Sequence, residues 1–379
     1  MKICFALWST DLYGGVRAVF EIANLLYERG HSVSIVALGG NHNWFPLKVK
    51  VDYVKPPRYV KLFNPLFMPL HKNPFSFLDF RLHLPIIEAK FNVDLTGRWR
   101  AISAISESIP DSDVNVATYF PTAFAVLSCM RGRPFCYMQD FLEHFTERAR
   151  GYERKLFPLA LKLPIFFLAN SEYIEKRVLS VQPKAKTKVI GAGVNIEVFY
   201  PRKKKMIDFH NRSTIMVLLR NEWFKHADIA IEVLNNVNKV TPIHAIFVGE
   251  LSRKVRMTFP FSSYLKIDDD KLASLYSASD LFLFTSSIEG FALPPLEAMA
   301  CGTPVVTTDC GGNRDYAIGD FNCLLCSPND TMHLARNVIS ILKNAGLRDR
   351  LTEGGLVTAK NFTWAHVVDK IETIFRENP

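Results

Sequence analysis

No apolar run in this chain is long enough to span a membrane. The most apolar stretch, residues 157–169, is broken by Pro158, Lys162 and Pro164, whereas a spanning helix needs about 20 apolar residues. Met1 leads straight into the strand-like run Ile3-Cys4-Phe5-Ala6-Leu7, with no basic segment or cleavage site, so a secretory signal is not expected. Cysteine is scarce and unpaired: seven residues, an odd number without framework spacing, read as reduced thiols of a cytoplasmic protein. Cys323 and Cys326 form a lone C-x-x-C with no second pair to complete a metal site. Low-complexity tracts and the G-x-G-x-x-G of dinucleotide binders are also missing, which disfavours a nicotinamide enzyme.

What is present is globular. The chain has 379 residues, 48% of them hydrophobic and 22% charged, enough for two domains with full cores. The net charge of +9 is confined to one half. Residues 1–189 carry 25 Lys+Arg against 16 Asp+Glu, and residues 190–379 carry 21 of each. The first half is therefore expected to meet an anionic membrane face or an anionic acceptor. Nucleic acid is the weaker choice, because no recognised binding motif accompanies the charge.

The most informative stretch is 286–306, Ser-Ser-Ile-Glu-Gly-Phe-Ala-Leu-Pro-Pro-Leu-Glu-Ala-Met-Ala-Cys-Gly-Thr-Pro-Val-Val. It reads as a buried strand from Leu281 to Phe284, a tight loop at Gly290 and a helix opened by Pro294-Pro295, then another strand. A loop of this kind aims amide groups beyond the strand end, where an anion such as a phosphate is the natural occupant. Glu297, about one turn into the helix, can reach a ribose hydroxyl, while Glu289 stays at the loop mouth. The residues alone give an α/β phosphate-ester site with two acids.

The string from Ser286 to Gly312, including Gly311-Gly312, resembles the nucleotide-sugar signature of glycosyltransferase family 4, retaining enzymes of the GT-B fold. The resemblance implies an α/β protein of two Rossmann-like domains facing across a cleft, with a C-terminal helix crossing back to the first. The expected domains are 1–194 and 195–362, followed by a returning helix in 363–379. The boundary comes from Gly193-Val194-Asn195 through Pro201, which is similar to the family connector; the run Arg202-Lys203-Lys204-Lys205 beyond it reads as a solvated linker. Donor contacts are implied at Glu289, Gly290, Phe291, Ala292, Leu293 and Glu297.

The resemblance extends to both halves. Strand Lys2–Leu7, the loop Thr10 to Gly15 and a helix from about Val16 to Arg29 resemble the glycine loop that opens family members, which places Gly14 and Gly15 near the donor phosphate or the acceptor. Arg17 is a weaker candidate. In the second half, strand Ser213–Leu219 ends at Arg220, with Lys225 five residues later. That is the family's spacing for two cations on the donor diphosphate, although Leu219 and His226 stand where the family has glycine. A departing nucleoside diphosphate gains negative charge, so such cations are needed. They and the loop amides are expected to take the place of a metal ion, and no cofactor is expected. Gln139 occupies the position of a common family histidine. Asp140 beside it could orient the acceptor hydroxyl or cap Phe141 to Arg150. The Gln-Asp pair is similar to that of rhamnosyltransferases of the family that use deoxythymidine diphosphate donors.

One further segment, Lys55 to Arg81, interleaves Tyr59, Phe63, Phe67, Phe75, Phe77 and Phe80 with Lys55, Arg58, Lys61, Lys72 and Arg81, among five prolines. It excludes a continuous helix. It suits a membrane interface, and equally an irregular loop that packs on its own domain. The expected activity is transfer of a sugar from a nucleotide diphosphate to a hydroxyl of a glycan or lipid-linked acceptor, with retention and without metal. A nucleotide-sugar 2-epimerase and a silent sugar-binding scaffold are the alternatives.

Overall fold

The computed structural model describes residues 1–55, 96–141, 153–202, 212–220, 222–250 and 256–378. Most of the Lys55–Arg81 segment, the helix expected to follow Asp140 and the run 203–205 lie outside them. The described chain forms two compact units. One comprises Met1–Asn170, Ile174–Ile190 and Lys370–Pro379; the other comprises Ser171–Tyr173 and Gly191–Asp369.

The first unit is built on a seven-stranded sheet: β1 (Lys2–Leu7), β2 (Ser32–Ala37), β3 (Lys50–Tyr53), β4 (Val114–Ala117), β5 (Arg133–Met138), β6 (Phe166–Ala169) and β7 (Thr187–Val189). All pairings are parallel and the order is β3-β2-β1-β4-β5-β6-β7. Strand β1 is buried at every position after Lys2, as expected where helices cover both faces of a parallel sheet. The chain runs outward from β1 to β3 and then resumes at β4 on the other side of β1. That reversal opens a crevice at the carboxyl ends of β1 and β4, where such sheets bind ligands.

The end of the last helix, Trp364–Glu377, belongs to this unit. Phe375 packs on Phe135 of β5 with ring centroids 4.7 Å apart, and an Arg133 Nη1 donates to the Phe375 carbonyl at 2.6 Å. The Glu372 carboxylate accepts from His31 at 2.7 Å and from Arg29 at 3.0 Å. Burial alone would raise the Glu372 carboxyl, but the bonds from His31 and Arg29 outweigh it and hold it below its ordinary value.

The second unit has six parallel strands: β8 (Ser213–Leu219), β9 (Ile243–Gly249), β10 (Phe261–Tyr264), β11 (Leu281–Phe284), β12 (Val305–Thr308) and β13 (Leu324–Cys326). Their order is β10-β9-β8-β11-β12-β13. Ile215, Val217 and Leu219 of β8, Phe247 of β9 and Leu281 and Leu283 of β11 form its core with Val233, Leu234, Leu334 and Val338 of the flanking helices. The strand order reverses between β8 and β11, so the crevice of this unit lies at their carboxyl ends.

Among the described residues no helix is long and apolar enough to cross a membrane. All seven cysteines are free and buried. Burial pushes the thiols of Cys323 and Cys326 up to about 12 and about 11, the opposite of the lowered values that make a C-x-x-C reactive.

Candidate functional site

In the second unit, the loops that leave β8 and β11 are stitched together. The Ser287 amide donates to the Phe224 carbonyl at 2.8 Å, and Thr285 Oγ1 donates to the carbonyls of Lys225 and His226 at 3.2 and 3.1 Å. A 3-10 turn, Trp223–Lys225, then swings Lys225 toward the β11 loop. Its Nζ lies 2.5 Å from Glu289 Oε1, with the two side chains only 22% and 12% exposed. So a cation after β8 and an acid after β11 meet at the switch point. Arg220 follows β8 directly and is exposed. Its charge lowers the affinity of the Tyr276 phenol for its proton, which places it in the same electrostatic neighbourhood as Tyr276 and Glu297.

The β11 loop is held from behind. Ser171 Oγ donates to the Gly290 carbonyl at 2.5 Å, and the Tyr316 hydroxyl donates to the Ala292 carbonyl. In a trans peptide the N–H points opposite the C=O, so fixing these two carbonyls turns the amides of Phe291 and Leu293 the other way. No backbone carbonyl among the described residues accepts from the amides of Gly290, Phe291, Ala292 or Leu293. They form an electropositive rim at the start of helix Leu293–Ala300. Ala292 itself has φ +67°, a left-handed conformation that costs a side-chain-bearing residue about 1 kcal/mol or more.

Behind the loop, Glu289 pairs with the segment after β12: its amide donates to the Cys310 carbonyl at 2.9 Å and its carbonyl accepts from the Gly312 amide at 3.2 Å. A Cβ on Gly312 would sit 2.2 Å from the Gly290 carbonyl oxygen, so only glycine permits this approach. Asn313 locks the turn, its Nδ2 donating to the Thr308 carbonyl at 2.8 Å while its Oδ1 accepts from the Cys310 amide at 3.1 Å. Glu297, in the second turn of the helix, is 8% exposed and meets the Tyr276 hydroxyl at 3.4 Å.

In the first unit, Gly14 and Gly15 open helix Gly14–Glu28 rather than preceding it, two residues earlier than the pattern predicts. Tyr13 caps it with extended backbone and no side-chain bond, so the glycines lie at the β1 switch point. Gln139, at the end of β5, donates from Nε2 to the Gly15 carbonyl at 3.1 Å, and a Cβ on Gly15 would press on its carboxamide at 3.3 Å. Asn170 Nδ2 in turn donates to the Gln139 carbonyl at 3.3 Å. Asp140 is exposed beside Gln139. Arg17 lies over the Trp44 ring at 5.9 Å.

Two models describe the chain. Residues 13–198 match the model for Glycosyltransferase Family 4, and residues 201–357 match that for Glycosyl transferases group 1. The chain belongs to glycosyltransferase family 4. Over 98 residues it is 37% identical to the O-antigen chain mannosyltransferase B of Escherichia coli, a match covering 26% of this chain and 25% of that protein. It therefore spans only a quarter of that relative's length. Among solved structures, a sucrose-phosphate synthase from Thermosynechococcus elongatus aligns with a TM-score of 0.76 and 16% identity, covering 99% of this chain and 98% of that one. Anabaena HepE, in complex with UDP and glucose, aligns with a TM-score of 0.73 and 19% identity over 99% of both chains. These likenesses show an α/β fold of the GT-B class.

For a family 4 chain, three positions depart from the expected residues. His226 follows Lys225 where glycine is usual, yet its φ is +49°, so the backbone keeps the glycine-like conformation and accepts the strain. Leu219 is 1% exposed and part of the core cluster, and Gly249 beside it supplies the close approach, since a Cβ there would sit 2.0 Å from the Leu219 carbonyl oxygen. Gln139 replaces a histidine and is an amide that buttresses the glycine turn. Asp-x-Asp spacing occurs at Asp111-Ser112-Asp113 and at Asp268-Asp269-Asp270. Asp111–Asp113 lies before the amino end of β4, opposite the crevice, where Asp113 accepts from the Lys2 amide at 2.7 Å, while Asp268–Asp270 follows β10 and starts helix Asp269–Ala278, which Asp268 caps through the Lys271 amide at 2.8 Å. Among the described residues no cluster of three or more His, Cys, Asp or Glu is gathered.

The sequence reading missed Ser171, Tyr276, Tyr316 and Asn313. Serine and asparagine in loops and tyrosine among core aromatics carry no periodic signal. Only Gly311-Gly312, quoted within the signature, hinted at a partner for the β11 loop.

Proposed function

We propose that this protein transfers a sugar from a nucleoside diphosphate to a hydroxyl of a glycan or lipid-linked acceptor, with retention at the anomeric carbon and without a metal ion. The observation that carries this reading is the meeting of Lys225 with Glu289 beside the outward-turned amides of Phe291 and Leu293. A diphosphate placed there meets a cation and fixed N–H donors, which stabilise the charge that grows as the glycosidic bond breaks. Arg220 is the second cation. Lys225 and Arg220 do for the leaving group what a divalent ion does elsewhere. Glu297 takes the ribose hydroxyls and Glu289 the sugar.

Retention without a placed nucleophile favours front-face displacement, in which a donor phosphate oxygen takes the acceptor proton. Gly14 and Gly15 of the first unit are assigned to the donor phosphate or the acceptor, and Asp140 to the acceptor, where it orients the attacking hydroxyl. Gln139 is a neutral amide and cannot act as a base at neutral pH. Its pairing with Asp140 supports a deoxythymidine diphosphate sugar, a rhamnosyl donor among them. The protein is placed in the cytoplasm, in peripheral contact with anionic membrane through the basic aromatic segment Lys55–Arg81.

The experiment is a donor screen that reads nucleoside-diphosphate release from UDP-, GDP-, ADP- and deoxythymidine diphosphate sugars, with and without acceptor glycans, followed by assignment of the product anomer. Release that depends on acceptor, with retained configuration and undiminished rate in excess EDTA, is expected. Donor epimerisation in the absence of acceptor would identify an epimerase instead. Loss of rate in EDTA, restored by magnesium or manganese, would remove the metal-free mechanism.

A further inference from the structure

Tyr276 is a buried polar side chain beside Glu297 that the proposed reaction does not use. It lies on helix Asp269–Ala278 and is wholly buried. Its ring stands edge-on to Phe282 of β11 at 5.2 Å and to Phe199 at 6.3 Å. Thr303 Oγ1 donates to its carbonyl at 2.7 Å, which fixes the backbone as well. A phenol clamped in this way has one orientation, and in it the hydroxyl meets Glu297 Oε2 at 3.4 Å. Burial, followed by the Glu297 charge, holds the phenol well above its ordinary value. The hydroxyl therefore keeps its proton, and toward a carboxylate it can only donate.

We infer that Tyr276 is a positioning residue for Glu297: its hydroxyl fixes Oε2, and thereby the plane of the carboxylate and the direction of its other oxygen toward the ribose hydroxyls of the nucleotide. The contact is longer than the 2.5–2.7 Å of a tight O–H···O⁻ bond. The ring is held by packing, so shortening this contact when a ribose engages the carboxylate falls to the glutamate side chain. Without the phenol the carboxylate of Glu297, a residue 8% exposed, would have one donor fewer.

The inference rests on the proposed ribose contact of Glu297, and the test separates the two. Titration calorimetry of the full chain with ADP, GDP, CDP, UDP and deoxythymidine diphosphate finds the nucleotide held best. That nucleotide is then compared with its counterpart lacking ribose hydroxyls. The wild type should bind the hydroxyl-free form at least about tenfold more weakly, the scale of a hydrogen bond to a charged group. Tyr276→Phe, which keeps the ring, should lose about tenfold on the parent nucleotide and little on the hydroxyl-free one. Fluorotyrosine at position 276, a stronger donor of the same shape, should tighten binding of the parent form only, and serves if Tyr276→Phe folds poorly.

If the wild type discriminates and Tyr276→Phe discriminates equally, the ribose contact stands and the role of Tyr276 falls. An equal loss on both ligands likewise overturns it, as the mark of a packing defect. A wild type that binds none of the five nucleotides, or ignores the hydroxyls, removes the ribose contact and this inference together.

Discussion

At the scale of single residues, the site centres on the pairing of Lys225 with Glu289. Lys225 and Glu289 are in contact at 2.5 Å, so each charge offsets the other; in the proposed reaction a diphosphate would share the lysine. Removing either cation should lower turnover by at least about 100-fold, the range for loss of one transition-state contact. Steady-state kinetics of Lys225→Ala and Arg220→Ala at saturating donor checks this, and near-normal turnover in both would strike them from the mechanism. Two of the five non-glycine residues with left-handed backbone among the described residues, His226 and Ala292, lie close in sequence to this pair. Ala292→Gly should be stable to within about 1 kcal/mol of the wild type, because relief of strain offsets the added chain entropy. Ala292→Val should lose more than about 2 kcal/mol and much of its donor affinity, since a β-branched residue resists φ +67°. Denaturant midpoints give both values, and equal stability of the two variants would contradict the assignment of strain.

At the scale of elements, what was readable in the sequence follows from how strongly each segment specifies itself. Strands Lys2–Leu7, Ser213–Leu219 and Leu281–Phe284 have the bounds expected from their apolar runs. Helix Gly14–Glu28 begins earlier than expected, because two glycines carry no helical signal and the start is decided by Gln139 packing on Gly15. The β11 loop was legible from its glycine and prolines; the hydroxyls that orient it, from Ser171 and Tyr316, come from distant positions in the chain and were not. The end of the last helix offers a test at this scale. Glu372 is held below its ordinary value of 4.5 against burial by bonds from His31 and Arg29. A carboxyl so lowered adds stability that is complete above its unfolded value and is lost as pH falls through its folded one. Glu372→Gln should therefore be less stable than the wild type at pH 7, and the gap should close below about pH 4. Urea unfolding across that range measures it; a gap that stays constant with pH would show that packing, and not charge, holds the helix end.

For the whole molecule, the charge is divided between the halves in a way the fold alone does not require. Residues 1–189 hold the entire excess of +9, while 190–379 are balanced. A neutral second half suits a unit that holds an anionic ligand by a few aimed groups, the role proposed for Lys225 and the loop amides. A basic first half suits attraction to a large anionic surface, which is not directional and sums over many charges. Within it, the segment Lys55–Arg81 sets five cations and six aromatic rings against the single acid Asp79. Each cation close to an anionic surface contributes about 1 kcal/mol, and aromatic rings favour the headgroup region. The protein should accordingly co-sediment with vesicles containing anionic lipid at low salt and detach as salt shortens the screening length. Replacing Lys55, Arg58, Lys61 and Lys72 with serine should reduce co-sedimentation while nucleotide binding, measured on the same preparation, stays unchanged. A wild-type protein that ignores such vesicles at low ionic strength would mean that the excess charge serves a soluble anionic acceptor, and that the aromatic segment packs on its own unit.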